Sequence, residues 1–570
     1  MELSENAQAV LKARYLLKDK SGKITETPEE MFRRVSAGVA EAERGYGGDS
    51  GLWAERFYSL MRDLRFLPNS PAMMNAGKRL GQLAACFVLP VKDSMDSIFS
   101  SLKSAAMILQ SGGGTGFSFS QLRPRADVVS STGGVASGPV SFMRVFNTAT
   151  EVIKQGGARR GANMGILSVH HPDILDFIRI KRKAGELQNF NISVAVTDSF
   201  MEALSHDKEY ELLNPRTGLV YQTIRAKAVF DEIVESAWET GDPGLVFIDV
   251  INRDNPTPHM GVMESTNPCG EQPLLPYEAC VLGSINLGKY VTVGGAGPVV
   301  KWETLSGDIA TAVRFLDDVI DVNKYPLPEI EAMHKGNRKI GLGVMGWADM
   351  LILLGIPYDS KKAYAFARQF MKFFRDKARA CSVALAAKRG AFPNFKGSVY
   401  DVSGKPEVRN ATTTTIAPTG TLSIIADCSS GIEPLFALAY RRLIMDTELS
   451  EMNRLFFETA KKAGFYSEKL KARVIKQGTL RGIKEVPPGI RRLFKTAHEI
   501  NYRDHIEMQA CFQEYTDNAV SKTINMPHAA TREDVAEAYL LAYEKGCKGI
   551  TIFRYGTRKK GTLVRFADAD

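Results

Sequence analysis

The chain has 570 residues, 44% hydrophobic and 24% charged, with a formal net charge of +9; this is ample material for a large core and excludes a disordered or low-complexity chain. No basic leader with an apolar run opens it, and no apolar stretch is long enough to span a bilayer, so a cytoplasmic protein without membrane contact is expected. Seven cysteines, an odd count without C-x-x-C spacing, fit neither a secreted disulfide framework nor a structural zinc site.

The positive charge admits nucleic acid or phosphorylated small molecules as partners. The basic clusters Arg159-Arg160, Lys181-Arg182-Lys183 and Arg558-Lys559-Lys560 are short and scattered. That favours small molecules over nucleic acid and predicts that the triplets face solvent. Without a long Pro/Ser/Gly linker or a clear internal repeat, the expectation is one large domain over 81–570 after a helical segment at 1–80.

In chain order, Leu52 to Leu64 carries apolar residues at helical spacing, and Pro68 closes the segment. Cys86-Phe87-Val88-Leu89 predicts a buried strand. Asp93 or Ser94 then caps a helix whose Met95, Ile98, Leu102, Ala105, Ala106 and Leu109 form one apolar face. Gly112-Gly113-Gly114-Thr115-Gly116 lacks the Gly-Lys-Ser/Thr ending of a phosphate loop and reads as a structural turn. A helix from Phe142 to Ile153 runs into Gln155-Gly156-Gly157-Ala158-Arg159-Arg160-Gly161, which reads either as a solvated turn or as a mobile loop offering guanidinium groups to phosphate or a base. Further strands are predicted at Ile192 to Val196, Val281 to Leu287 and Thr412 to Ile416, with helices over Ala310 to Val322, Ala363 to Lys388 and Arg532 to Lys545. This alternation predicts an α/β protein with a large sheet or barrel.

The run Asn267-Pro268-Cys269-Gly270-Glu271 carries the most chemistry. If it is extended, Asn267, Cys269 and Glu271 share a face and surround a small substrate with an amide, a thiol and a carboxylate. The same letters also spell a Pro/Gly turn around an inert buried cysteine. Cys86 and Cys280 add two thiols. A thiol that loses a hydrogen atom can abstract hydrogen from an activated carbon, and two more can supply two electrons as they close a disulfide, provided their Cα atoms come within about 7 Å.

Together with Pro68-Asn69-Ser70-Pro71, Asn75-Ala76-Gly77, Asp93 to Ile98, Ala417-Pro418-Thr419-Gly420-Thr421, Ser430-Gly431-Ile432-Glu433-Pro434 and Asp517 to Lys522, these residues resemble the ribonucleotide reductases over nearly the whole chain. The resemblance is to the adenosylcobalamin-dependent class II. It implies a ten-stranded α/β barrel of two five-stranded halves with a central finger loop, the thiol held where water is excluded. It implies that Cys269 becomes the thiyl radical that takes the 3′-hydrogen, that Glu271 is the general base on the 3′-hydroxyl, that Asn267 binds the sugar, and that Cys86 and Cys280 reduce it and end as a disulfide. Substrate phosphate is expected on Pro418, Thr419, Gly420, Thr421 and Leu422, with Ser70 and Ala85 completing the substrate site. Asp93, Ser94, Ile98 and Arg123 are expected to bind an effector, ATP or a deoxynucleoside triphosphate, with Mg2+ accompanying bound nucleotides; Gln155 and Arg159 would report the effector's identity. A thioredoxin-type reductant and a homodimer are also implied.

The class is argued by elimination as well. The two adjacent tyrosines by which class I large subunits receive their radical are replaced by Phe553-Arg554, and Arg554-Tyr555-Gly556-Thr557 has the wrong order for a glycyl-radical site. No N-terminal domain for overall on–off control and no C-terminal cysteine pair is recognised, so only specificity regulation is expected. A class I-type subunit and a noncatalytic nucleotide regulator are the competing readings. Cys381, Cys511 and Cys547 are expected to pack in apolar helices. Cys428 lies close in sequence to the active-site turns, and packing is expected there too.

Overall fold

A computed structural model describes residues 2–129, 133–153, 162–295, 297–444, 447–557 and 563–564. Gln155, Arg159, Arg160 and the triplet Arg558-Lys559-Lys560 fall outside the described residues. Among those described, no helix is long and apolar enough to cross a membrane.

Helices α1 (Glu5–Arg14), α2 (Pro28–Ala40) and α3 (Ser50–Arg62) open the chain, each started by a side chain that accepts a first-turn N–H: Ser4, Thr27 and Asp49. Met31, Phe32, Val35 and Val39 recur at helical spacing on α2 and are buried.

The barrel is built from two parallel sets of strands. The first comprises β2 (Cys86–Leu89), which follows the short strand β1 (Phe66–Pro68), then β3 (Gly114–Ser118), β4 (Asn163–Ser168), β5 (Phe190–Val196) and β6 (Gly244–Phe247), paired in that order. Helices α4 (Met95–Gln110) and α5 (Pro139–Val152) connect the first of them. After a two-stranded hairpin, β7 (Ser265–Thr266) and β8 (Pro273–Leu274), the second set begins with β9 (Ala279–Asn286) and, beyond α6 (Trp302–Val322), β10 (Ile340–Met345). It ends, beyond the long α7 (Lys361–Arg389) and the hairpin β11 (Ala439–Ile444) and β12 (Thr447–Met452), with β13 (Thr523–Met526) and β14 (Gly549–Arg554). The sets meet antiparallel at β9–β2 and β6–β14, giving a ten-stranded sheet when β1 is included.

The predicted strand at Thr412 to Ile416 is a bridging segment instead. It pairs in parallel with β10 at Leu342–Thr414 and with the chain before β13 at Ile416–Val520, so it is the fifth member of the second half and closes the barrel. Asp517 holds it there: one carboxylate oxygen accepts from the Thr413 N–H at 2.7 Å, the Thr413 hydroxyl at 2.8 Å and the Thr414 N–H at 3.2 Å.

Side-chain alternation sorts the strands' residues between two environments. Ile192, Val194 and Val196 of β5, with Val281 and Ile285 of β9, join the main core under the helices. Cys86 and Val88, with Cys280, Leu282 and Leu274, form a separate small cluster.

The Gly112–Gly116 run is not simply a turn, because Gly114 and Gly116 lie in β3. A Cβ on Gly116 would stand 1.8 Å from the Thr266 carbonyl oxygen, and one on Gly114 would stand 3.0 Å from the Pro268 ring. On the opposite wall a Cβ on Gly341 would meet the Gln272 amide at 2.6 Å. These glycines are bare so that the β7–β8 finger can lie between the barrel walls.

Lys181 and Arg182 do not face solvent as expected. Lys181 is half-buried, donates to the Phe190 carbonyl and lies 3.5 Å from Asp242, while Arg182 pairs with Glu239 at 3.0 Å and Glu232 at 3.4 Å. Cys381 and Cys511 sit in helices as predicted, but Cys547 is a buried residue just before β14.

Candidate active site

The run at Asn267 to Glu271 is a turn, which corrects the extended reading. The Gly270 N–H donates to the Asn267 carbonyl at 3.0 Å, with Pro268 and Cys269 as the two central residues and Gly270 at φ +79°. Asn267 pins the turn at its base: its side-chain oxygen accepts from the Gln272 N–H at 3.0 Å, and its N–H donates to the Gln272 carbonyl at 3.1 Å. The hairpin therefore presents Cys269 at its tip, while Asn267 and Glu271 are buried at its flanks.

The other face of the finger meets the thiol pair. Cys280 on β9 lies directly opposite Cys86 on β2 in antiparallel register, a pairing that sets Cα atoms about 4.5–5.5 Å apart, within disulfide reach. The Asn267 amide N–H donates to the Cys86 sulfur at 3.1 Å, tying the finger to the pair. Burial pushes the Cys86 thiol well up, and the charges of Glu271, Cys280 and Cys269 push it further, so the five predicted side chains share one electrostatic neighbourhood. Burial also raises Cys280, opposed by the Lys339 cation. Such thiols stay protonated, ready to give hydrogen.

Cys269 is not sealed from water as expected. It is exposed on the wall of a cavity of about 670 Å³ lined also by Asn191, Asp242, Lys289, Phe436 and Cys428. The cavity lies on the Cys269 side of the finger, and neither Cys86 nor Cys280 lines it. Its size falls within the roughly 300–1,000 Å³ of small-molecule sites. Its aromatic rings and hydrogen-bonding side chains together suit a nucleoside. Burial pushes the Cys428 thiol well up, and the neighbouring Asp349 and Asp427 carboxylates push it further.

On the thiol-pair side, Asn69 staples the chain to β9, donating to the Leu83 carbonyl at 2.8 Å and accepting from the Leu282 N–H at 3.1 Å. Ser70 follows, and its hydroxyl meets Tyr15 OH at 2.8 Å. The Ala85 N–H donates to the Cys280 carbonyl at 3.3 Å. In the turn from Pro418 to Leu422, Thr419 takes φ +50° and its hydroxyl oxygen accepts from the Gly431 N–H at 2.7 Å, while Gly420 is exposed. Thr421 accepts from the Arg14 guanidinium at 3.3 Å. Sequence reasoning missed Arg14, since a single arginine in the last turn of an N-terminal helix reads as a solvated cap. Lys522, 2.6 Å from Glu433, ties the Ser430 to Pro434 segment to β13.

Among the residues expected to bind an effector, Ser94 caps α4 by accepting from the Ser97 N–H at 3.1 Å, so Asp93 is not the cap. Asp93 instead pairs with Arg123, at 2.8 Å from its Nε and 3.1 Å from its N–H. Ile98 is buried, but Met95 is 61% exposed, against its predicted place on the apolar face.

A family model described as the ribonucleotide reductase barrel domain matches residues 84–407 and 403–553, and one described as the all-alpha domain matches 1–81. A protein of Thermoplasma acidophilum named vitamin B12-dependent ribonucleoside-diphosphate reductase is 50% identical over 612 residues, covering 97% of this chain and 79% of the relative. One of the same name from Mycobacterium tuberculosis is 48% identical over 569 residues, covering 100% of this chain and 80% of its own. Among solved structures, the alpha subunit of a class Id ribonucleotide reductase from Actinobacillus ureae superposes with a TM-score of 0.80 over 97% of both chains at 24% identity, a likeness of fold.

Proposed function

The chain belongs to the ribonucleotide reductase family, and we propose that it reduces ribonucleoside diphosphates to deoxyribonucleotides by thiyl-radical chemistry with adenosylcobalamin as cofactor. One observation carries the reading: the finger sets Cys269 at its tip while its Asn267 bonds to a thiol pair already in cross-strand register. Names of relatives at about half identity support the diphosphate and the cofactor.

The cofactor's place is the cavity on the Cys269 side, where Phe436 and Tyr440 offer rings and Asn191 and Asp242 hydrogen bonds. Bound there, adenosylcobalamin would supply the radical chemistry that removes the thiol hydrogen of Cys269. Cys269 then removes the 3′-hydrogen across the finger, Glu271 takes the 3′-hydroxyl proton, and Asn267 holds the sugar against Cys86. Cys86 and Cys280 give two hydrogens, one leaving with the 2′-hydroxyl as water and one staying on C2′, and close as a disulfide, while Glu271 returns its proton to the 3′-oxygen and Cys269 its hydrogen to C3′. Phosphate sits at Thr419, Gly420, Thr421 and Leu422 with Ser70 and Ala85 nearby, and Arg14 brings it a positive charge.

Asp93, Ser94, Ile98 and Arg123 hold a nucleoside triphosphate effector with Mg2+, and Gln155 and Arg159 carry its identity to the substrate base. A homodimer forms across α4 and α5, where Met95, Phe99, Val145 and Val152 are exposed. The enzyme works in the cytoplasm with a thioredoxin-type reductant. Phe553 lines the cavity and Arg554 is bonded to the Trp238 and His528 carbonyls, so neither offers a phenolic relay to a partner protein.

The test is anaerobic incubation with adenosylcobalamin, dithiothreitol and each ribonucleoside diphosphate, with and without triphosphate effectors. Deoxyribonucleoside diphosphate is expected; its absence under all conditions overturns the reading, and its appearance only with a second protein favours a class I-type subunit.

A further inference from the structure

We propose that the Cys86–Cys280 disulfide is opened in one direction: an incoming thiolate attacks the Cys86 sulfur and expels Cys280 as a thiolate beside Lys339, which acts as a positioning residue for the step. This rests on the reading above that Cys86 and Cys280 become a disulfide.

The asymmetry comes from the sheet. Cys280 has Cys86 opposite it on β2. On the other edge of β9, Val281 pairs in parallel with Ile340, so the preceding residues, Cys280 and Lys339, are the next neighbours in register. Directly neighbouring residues of a ladder project to the same face. The Lys339 ammonium is buried, 2.7 Å from Glu278, two residues before Cys280. Glu278 does not give its charge to Lys339 alone, because the Leu275 N–H reaches it at 2.6 Å and the Asn337 amide at 2.5 Å. The largest charge acting on Cys280 is the Lys339 cation, opposed by Glu278 and Glu271, whereas the largest acting on Cys86 is the Glu271 carboxylate, offset by the bond from the Asn267 amide.

Two rules of thiol–disulfide exchange then agree. The sulfur better stabilised as a thiolate leaves faster, which selects Cys280 as leaving group. The attacked sulfur must be reachable, and Cys86 is 5% exposed against 0% for Cys280. The reductant is a dithiol. Its first thiolate forms an S–S bond to Cys86 as the Cys86–Cys280 bond breaks and Cys280 takes the electron pair. Its second thiolate attacks its own sulfur in the mixed disulfide and frees Cys86 as a thiolate. Two protons restore both thiols, and the reductant leaves as a disulfide, having lost two electrons.

The experiment uses the full chain in a Cys269→Ser background, oxidised with diamide, opened briefly with the monothiol N-acetylcysteine, quenched in acid and mapped by peptide mass. N-acetylcysteine is expected on Cys86, with Cys280 free. Label mainly on Cys280, or evenly on both, overturns the direction while leaving the disulfide intact. If diamide forms no Cys86–Cys280 disulfide, the thiol-pair reading of the previous subsection falls, and this one with it. Lys339→Met is expected to slow opening about tenfold and to shift label toward Cys280, and Lys339→Arg to restore the wild-type pattern. Unchanged rate and labelling in Lys339→Met removes Lys339 from the step. Should Lys339→Met fail to fold, the wild-type map and Lys339→Arg still decide the direction.

Discussion

Cys269 differs from the other thiols of the site in being exposed to a cavity while Cys86 and Cys280 are buried. The proposed role, exchanging hydrogen atoms with groups on both sides of the finger, needs that position, and a hydroxyl cannot replace the sulfur in it, because an O–H bond is far harder to break homolytically. Cys269→Ser is expected to lower deoxynucleotide formation by at least about 10⁴-fold, the scale of removing an enzyme's reacting group, with substrate binding by equilibrium dialysis unchanged. Turnover well above about one part in 10⁴ of wild type in that variant would refute the radical assignment. Arg14 tests the other end of the substrate site. Loss of a charge-assisted contact costs about 1.5–3 kcal/mol, so Arg14→Ala should raise KM roughly 10–100-fold with kcat retained; an unchanged KM removes Arg14 from phosphate binding. The run Asn267 to Glu271 pointed to a site because thiol, amide and carboxylate stand close together, but the same letters also read as an inert turn, and Cys86 and Cys280 joined it only through the resemblance. Arg14 and Lys339 were not. Each meets a neighbour distant in sequence, Thr421 and Cys280 respectively, and a lone cation says nothing about where the fold will take it.

The finger depends on strands whose glycines make room for it, and this is where local reading failed. Gly112 to Gly116 looks like a turn to any argument that sees only neighbours in sequence, since glycine has no side chain to mark a face. Its reason for being bare lies about 150 residues away, at the Thr266 carbonyl. Strand β2 and helices α3, α6 and α7 were legible because alternation, helical spacing and caps are local signals. The segment Thr412 to Ile416 was read as a strand from its β-branched residues, and the structure gives it backbone bonds to both neighbours but only a single bridge on each side, with Asp517 adding its carboxylate. Gly116→Ala puts a methyl 1.8 Å from a backbone oxygen that cannot swing away. A shift of the finger by about 1 Å is enough to cost roughly 100-fold in rate. The expected outcome is that loss with an unaltered far-ultraviolet circular dichroism spectrum; wild-type activity would show that the finger does not need this close approach.

On the scale of the molecule, the N-terminal helices are joined to the barrel through buried charge rather than apolar contact alone. Glu43 accepts two bonds from Arg314 at 2.6 Å and one from Arg389 at 2.7 Å, while Arg389 also reaches Asp317 at 2.9 Å and Asp318 at 2.6 Å. Tyr46 extends the network, donating to Asp321 at 2.8 Å and accepting from Arg409 at 2.6 Å. Burial would raise the Glu43 carboxyl, but the bonds from Arg314 and Asp318 and the charges of Arg389 and Arg314 outweigh it and bring it down to about 2. Asp318 moves the opposite way, raised by burial and by the neighbouring Glu43 carboxylate. A depressed carboxyl stabilises the fold fully above its unfolded value, 4.5, and that contribution is lost as pH falls toward about 2. Glu43→Gln leaves Arg314 and Arg389 buried without their shared anion and is expected to cost about 3–5 kcal/mol at neutral pH. It should also flatten the fall in stability between pH 4.5 and 2, because the group that titrates there is gone. Urea midpoints measured for both proteins across that range check the pair of effects. A variant as stable as wild type at pH 7, or one that loses stability in acid just as steeply, would mean that the N-terminal helices are held by their apolar faces and that the charges merely accompany them.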